Sequence, residues 1–304
     1  MARDVSTLAA ALAALACMTA ANTAGAQSSA PAQGSSPEKT LQEVTVTAAK
    51  LKERISRFVD QIAALAHEEG LPRWNVPICP QERGLPRPEG VWVLARLVAI
   101  AHAAGAPMAH AHCRPNLYIV ASSDPELLLR RTRANNRNRI AMFGDATPYV
   151  IDEFIETPHP VRVWYGSRAG GALGKVLGSA KAGGTQAGDR PTTWFYNGAS
   201  RLRSNVIWSF SVVVEIADQR QLRGSTLGQF ADYAAMVALA EIKPGAHLGD
   251  APSILKLFDG SPKTAPAGMT DWDRAFLKSL YLTDQASTLQ RGQIGREMVR
   301  ELIH

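Results

Sequence analysis

The chain has 304 residues, of which 46% are hydrophobic and 20% charged, and its formal net charge is +6. This length and apolar content suffice to bury a sizeable core, and the composition excludes a disordered or collagen-like chain. After the N-terminal segment, no stretch is apolar over the 18 or more residues that a transmembrane helix needs. The sequence therefore predicts no stable transmembrane anchor.

The first 26 residues predict a signal peptide and not a part of the fold. Arg3 supplies a positive start, residues 8–18 form an apolar run of signal-peptide length, and Ala24–Ala26 has the small-x-small cleavage pattern. The mature protein is therefore predicted to be periplasmic or secreted after cleavage near Ala26. Lipidation at Cys17 is the alternative, although the leucine usual three positions upstream is lacking.

Two cysteines remain once the signal peptide is removed, Cys79 and Cys113. An even number of cysteines in an oxidising compartment predicts one disulfide. The closed loop of about 35 residues would add roughly 3 kcal/mol of stability by chain entropy. The alternative is a pair of free, buried thiols.

Residues 27–49 are rich in Ser, Ala, Pro and Gly at their start and predict a disordered linker. Within it, Val44–Thr47 alternates as a strand does. Leu41–Lys50, LQEVTVTAAK, resembles the TonB box of TonB-dependent outer-membrane receptors. That resemblance implies a cell-envelope partner like TonB, to which the segment would dock by adding a strand to a sheet edge. A plain linker or an edge strand is the alternative.

Residues 50–304 predict a single globular domain, with 50–160 and 161–304 as subdomains. A strand that leads into a helix N-cap, as residues 116–125 do, is typical of layered folds, so the predicted fold class is α+β, with mixed α/β as the alternative. The predicted elements are amphipathic helices over 51–69 and 88–104, a strand over 116–122, a helix from Pro125 capped by Asp124, a helix over 149–157, strands over 161–165 and from Val206, a helix capped by Thr226, and helices over 271–282 and 286–303.

The only concentration of charge is Arg130–Arg139, which holds five arginines. Such a face suits nucleic acid or anionic lipid, or it is a solvated helix end. No aromatic residues interleave for base stacking, so no nucleic-acid partner is predicted. Gly170–Lys175 departs from the phosphate-binding loop in its spacing and lacks the hydroxyl after the lysine. The sequence therefore predicts no cofactor.

His110 and His112 are the only metal candidates, because residues i and i+2 of a strand share a face. No acid lies close by before Asp124, and Cys113 in a disulfide cannot be a ligand. A cluster at a loop or helix end is the alternative, and no metal site is predicted.

Carboxylates occur in two pairs. Asp152 and Glu153 lie on a predicted helix, and Asp271 and Asp273 open another, where the helix dipole alone explains acids. An acid pair of the glycosidase type is the alternative that either pair leaves open.

The helix after Thr226 is the centre of the chain. Thr226 and Gln229 form a capping-box pattern, and the helix is apolar on nearly all sides except for Asp232. A buried carboxylate must pair with a donor or take up a proton. The candidate donors are Arg201, Arg203 and Arg274. Asp232 is therefore a structural brace or, with the neighbouring Tyr233, a candidate catalytic residue.

A hydrophobic strand followed by this helix is similar to the zincin metalloproteases, with Ala231–Met236 in the register of their A-H-E-x-x-H motif. Both histidines and the glutamate are absent, so the resemblance implies no metal site. Farther on, Ala251–Leu255 and Met269–Tyr281 resemble an uncharacterised exported bacterial family that has been likened to zincins. The two resemblances imply a zincin-like C-terminal half without its metal.

These features predict an exported periplasmic or cell-envelope protein, non-catalytic, with a degenerate metalloprotease-like scaffold. Two alternatives remain. One is a peptidase-like hydrolase with an unrecognised site at Asp232 and Tyr233, or at Asp152 and Glu153. The other is a TonB-coupled accessory protein.

Overall fold

The computed structural model describes residues 37–63, 70–171, 202–204 and 206–303, with only the course of the backbone for 37–47. The predicted signal peptide with Cys17, most of the Gly170–Lys175 loop and Arg201 lie outside the described residues. Residues Thr45–His304 form one compact unit.

The unit is built on a mixed four-stranded sheet. Its strands are β1 (Pro80–Arg83), β2 (Leu117–Ser122), β3 (Val161–Gly171) and β4 (Val206–Asp218), in the order β1-β2-β4-β3. The first three in that order run parallel, and β3 is antiparallel to β4 at the edge. With the helices that cover it, this sheet makes the fold α+β, as predicted.

The predicted helices occur in the predicted order, and two that were not predicted, Asn136–Phe143 and a short 3-10 helix, are added to them. Their bounds are α1 (Pro37–Ile62), α2 (Arg87–Ala104), α3 (Pro125–Ala134), α4 (Asn136–Phe143), α5 (Pro148–Glu156), α6 (Leu227–Leu239), a short 3-10 helix (Ile254–Phe258), α7 (Asp271–Leu282) and α8 (Gln290–Ile303). Asp124 caps α3 by accepting a hydrogen bond from the amide of Leu127, with proline at the first helical position, as predicted. Among the helices that the structure describes, none has the length and apolar character needed to cross a bilayer.

Helix α1 corrects the prediction for the N-terminal segment. It begins at Pro37 and includes Val44–Thr47, so the predicted strand is wrong and the predicted linker is helical from Pro37 onward. Ile55, Phe58 and Ile62 are fully buried and fix the helix at its C-terminal end. Extending a nucleated helix backwards costs little, which is why a four-residue β-like pattern does not break it. A TonB box acts as an added strand, and Leu41–Lys50 is helical here.

Strand β4 is buried on both faces. Val213, Glu215 and Ala217 face the main core with α6, whereas Val214 and Ile216 face a second cluster formed by α3–α5. Helices on both sides explain why the strand is a continuous apolar run and not an alternating one.

The predicted disulfide is present. Cys79, directly before β1, is bonded to Cys113, with 5.9 Å between the Cα atoms. It joins the chain before β1 to the segment before the neighbouring strand β2, and the Asn116 side chain strengthens the same junction by accepting from the amide of Cys79 at 2.7 Å. The alternative of two free thiols is therefore wrong.

Candidate functional site

Helix α6 begins as the sequence predicts. The amide of Gln229 donates to Oγ1 of Thr226 at 3.1 Å, and the amide of Thr226 donates to Oε1 of Gln229 at 2.9 Å. Every residue from Gln229 to Leu239 is buried. The side chain of Gln229 also donates to the carbonyls of Pro262 and Pro266, which ties the following loop to the helix.

Asp232 is held by a partner that the sequence did not single out, Arg96 of α2. Arg96 Nε lies 2.6 Å from Oδ1 and Nη2 lies 2.9 Å from Oδ2, and the amide of Met269 donates to Oδ2 at 2.7 Å. The predicted donors Arg203 and Arg274 are wrong, because they pair with Asp284 and Asp271. Packing of α2 against α6 creates this pair across 136 positions of sequence.

The Asp232–Arg96 pair lies where three segments of the chain pack closely together. The Asp232 side chain is 2% exposed and that of Arg96 is 42% exposed. The hydrogen bond to Asp232 raises the pKa of the Arg96 guanidinium. A Cβ atom on Gly268 would lie 2.6 Å from Oδ2 of Asp232, so the chain before Met269 passes directly over the carboxylate. Both oxygens of Asp232 are therefore used in joining α2, α6 and the segment that leads to α7.

Tyr233 does not share a site with Asp232. Its ring meets that of Phe258 edge-on, with 4.8 Å between the centroids, whereas Asp232 points to α2. Burial is the main cause that raises the pKa of the Tyr233 phenol, so the phenol keeps its proton at neutral pH.

The histidine candidates lie in a turn after α2, and not on a strand. His110 and His112 are exposed, and His112 has a backbone φ of 64°, so the shared strand face that would make them chelate is absent. Within the described part of the chain, no three His, Cys, Asp or Glu side chains come together as a metal-binding group.

The first carboxylate pair is split between different partners. Asp152 is bound by Arg133 at 2.7 Å, and Glu153 is exposed on α5.

Arg130 pairs with Glu126, so two of the five arginines in Arg130–Arg139, Arg130 and Arg133, already have acidic partners.

The second carboxylate pair is also split, and Asp273 has the structural role. Asp273 is fully buried and accepts hydrogen bonds from Ser253 Oγ at 2.5 Å, from the amide of Ile254 at 2.8 Å, and from the amide and Oγ1 of Thr270 at 2.9 and 2.8 Å. We call this group the Ser253–Asp273 clamp. It joins the 3-10 helix to the start of α7.

Alanine at position 273 is expected to lower the free energy of unfolding by about 2–4 kcal/mol, because several buried donors lose a charged acceptor. Urea unfolding of purified Asp273→Ala measures this change. Asp271→Ala is the matched control, because Asp271 lies on the same helical turn, is 81% exposed and pairs only with Arg274. The control is expected to lose less than about 1 kcal/mol. Equal losses at the two positions would show that the clamp contributes nothing.

Glu215 is the residue that the sequence reading missed. It lies in the middle of β4, between Ile119 of β2 and Val163 of β3, with no exposed surface. Within the part of the chain that the structure describes, neither carboxyl oxygen has a hydrogen-bond partner. Burial raises the pKa of Glu215 well above its usual range. The signal in the sequence was a single acid within the run VVVEIA, where every neighbour is apolar.

Helix α2 has an exposed apolar face. Val93, Leu97 and Ala101 are buried against the core, but the opposite side is also mostly apolar, with Arg96 and His102 as exceptions, so the predicted amphipathic pattern is wrong for this helix. We call the exposed residues the outer face of α2: Val91 at 61% exposure, Trp92 at 45%, and the exposed Ala95, Ala99 and Ala103.

A groove continues this face. It has a volume of about 460 Å³ and lies between α2, α7 and α8. Ile100, Leu277 and Leu302 contribute apolar walls, and the charged side chains around it include Lys278 and Glu301, which pair at 2.7 Å. An apolar helix face beside a groove is the arrangement that an apolar segment of another chain can cover.

Comparison with known proteins gives no match for this chain, whether among family models, curated proteins or solved structures.

Proposed function

We propose that this is an exported cell-envelope protein that acts as a binding module without catalysis, on a metalloprotease-like scaffold that has lost its metal site. The outer face of α2 and the adjoining groove are the surface that it uses. The observation that carries the proposal is the exposure of Val91 and Trp92 on a helix whose outer side also carries three exposed alanines, with Arg96 and His102 as its polar residues after Trp92. Exposed apolar patches of this kind mark interaction sites with other proteins.

The geometry at Asp232 supports the non-catalytic half of the proposal. In the zincin register, Asp232 stands where the helix would carry its catalytic motif. Both of its oxygens are engaged by Arg96 and by the amide of Met269. A general base or a metal ligand needs an oxygen directed at a substrate or an ion. The disulfide between Cys79 and Cys113 supports export, because such bonds persist in oxidising compartments.

The binding half is tested by placing a photo-crosslinking amino acid at Ala99 or Ala103 in living cells. We expect one defined adduct from both positions, and none from Ala141, an exposed alanine on α4. Loss of the adduct when Trp92→Ala is added would tie it to the outer face. Failure to form an adduct at either position, or an equal adduct at Ala141, would disprove the proposal.

The non-catalytic half is tested with a fluorescent casein substrate, with and without added zinc. We expect the wild-type protein and Asp232→Asn to release no more fluorescence than buffer does. Hydrolysis by the wild type that is lost in Asp232→Asn would instead support the peptidase alternative.

A further inference from the structure

We infer that the partner on the outer face of α2 is a second copy of this chain, paired antiparallel about a twofold axis so that Trp92 of each copy enters the groove of the other. This inference rests on the proposed function, because it names the occupant of the same surface. Three observations carry it: the positions of Trp92 and the groove along α2, the size of the surface, and its charge.

Trp92 and the groove lie on one stripe of the helix but at opposite ends. Trp92, Arg96, Ala99 and Ala103 are spaced i, i+4, i+7 and i+11, which places them on the same side. Arg96, Ala99 and Ala103 line the groove, and Trp92 projects about 16 Å nearer the start of the helix than Ala103 does. The Cη2 tip of the Trp92 ring lies beside Gly228 of α6, and the side chain is 45% exposed, so the ring turns away from α6 when it enters a neighbouring groove.

A twofold axis that crosses α2 brings Trp92 of one copy to the groove of the other copy. In an interface between identical copies, each contact occurs twice, once in each direction. An antiparallel pair of α2 helices therefore sets the bulky end of one copy over the small residues and the groove of the other. Ala99 and Ala103 leave room for a close approach of the two helices, and the groove beside them has space for an indole ring.

The surface is large enough for a weak, reversible dimer. Helix α2 has 18 residues, which corresponds to a length of about 27 Å. The groove flanks α2 only from Arg96 to Ala104, where ordinary helix spacing gives a width of about 25 Å. Together with the single-helix width of about 10 Å over the rest of α2, the area is roughly 450 Å² per copy, which lies in the range of weak, transient interfaces.

The charge of this surface favours a copy of the same chain over a partner of opposite charge. The chain has a net charge of +6, so two copies repel each other on average. At this face, however, Arg96 pairs with Asp232, Arg274 with Asp271, and Lys278 with Glu301. An acidic partner would have to compete with those acids, whereas a second copy meets a surface without net charge. His102, at the end of α2, is also exposed on this helix.

The test is the mass of the mature protein, residues 27–304, in sedimentation-velocity and light-scattering measurements over a hundredfold range of concentration. We expect a reversible dimer for the wild type. Trp92→Ala should weaken dimerisation about 30-fold or more, as loss of a buried interface tryptophan does. Ala103→Glu should leave a monomer, because it places a charge in the groove.

Two control variants separate the interface from general surface effects. Tyr149→Ala removes an aromatic side chain that is 75% exposed on α5, and Ala141→Glu adds the same charge on α4. Both should dimerise as the wild type does. Mixing Trp92→Ala with Ala103→Glu should restore association in part, because the first variant keeps its groove and the second keeps its tryptophan.

A wild-type protein that stays monomeric over the whole range would overturn the inference, and so would equal dimerisation by Ala103→Glu and Ala141→Glu. The crosslinking experiment then separates the two proposals. An adduct of twice the chain mass at Ala99 supports the second copy, and an adduct of another mass leaves the binding function standing but refutes self-association. The absence of any adduct refutes both.

Discussion

Replacing Arg96 by alanine is expected to lower the free energy of unfolding by about 3–5 kcal/mol, because a buried carboxylate loses its charged partner. After the change, Asp232 keeps only the hydrogen bond from the amide of Met269. Its side chain is 2% exposed while Arg96 covers it, and water that enters the space left by the guanidinium replaces only part of the lost interaction. Chemical denaturation at neutral pH measures the loss.

Replacing the other partner of the pair, Asp232, is expected to lower the free energy of unfolding less. In Asp232→Asn, the amide oxygen can still accept from Met269, and Arg96, which is 42% exposed, can turn its charge into water. We expect a loss of about 1–2 kcal/mol. The double variant Arg96→Ala with Asp232→Asn should therefore be more stable than Arg96→Ala alone, because it no longer buries an unpaired charge.

An exposed ion pair provides the control for this cycle. Arg57 pairs with Glu53 on α1, and the two side chains are 54% and 72% exposed. Arg57→Ala should cost less than about 0.5 kcal/mol. If Asp232→Asn were more damaging than Arg96→Ala, the burial of the carboxylate would not be what makes this pair important.

The second large effect is expected at Glu215. Glu215→Met keeps a similar volume and removes a carboxyl group that has no hydrogen-bond partner among the described residues, so the variant should be more stable than the wild type by about 3 kcal/mol or more at pH 8. A substitution in the middle of a core strand that increases stability is unusual, since most such changes destabilise. Thermal and urea unfolding of both proteins measure the gain.

The gain should depend on pH in a defined direction. The folded pKa of Glu215 is raised by burial, whereas the unfolded value is about 4.3. Above that value the folded state keeps a proton that the unfolded state has lost. The stability of the wild type therefore falls by about 1.4 kcal/mol per pH unit until the pH passes the folded pKa. Below about pH 4 both states are protonated, and this contribution is fully retained.

Other titratable groups near Glu215 also affect how the stability of the protein depends on pH. Tyr165 of β3 and Tyr233 of α6 are both close enough for the Glu215 charge to help burial raise their pKa values, and they stay neutral over the range tested. Glu241, after α6, has a pKa raised by burial to about 7. The decrease in stability with pH that Glu241 causes should therefore end near pH 7. The same decrease should also be present in Glu215→Met, which keeps Glu241. A profile of Glu215→Met parallel to that of the wild type would refute an ionisable Glu215 in the core.

Local features of this protein could be predicted because their cause lies within a few residues. The capping box of Thr226 and Gln229 and the cap of Asp124 each form within one helical turn, so the residue pattern is sufficient. The two cysteines of the mature chain left one intramolecular pairing, and the structure contains it. The strand nature of β2 and β4 also followed from their apolar content.

The candidate site could not be predicted in the same way, because its contacts join distant parts of the chain. The sequence identified Asp232 as a buried acid that needs a donor, but the donor is Arg96, brought near only when α2 packs on α6. Likewise, Asp273 looked like an ordinary helix-start acid until the fold placed Ser253 and Ile254 against it. The burial of Glu215 could not be predicted either, because it also depends on contacts between distant parts of the chain.

The sequence alone thus determined the disulfide, most of the helices and strands, and the need for a partner at Asp232, and export stays a prediction from the sequence. Only the tertiary structure decided which residue that partner is, that Val44–Thr47 is helical, and that α2 exposes an apolar face beside a groove. The physical reason is that helix caps and apolar periodicity act over single turns, whereas ion pairs between elements and the exposure of a helix face depend on which neighbours the whole chain places beside it.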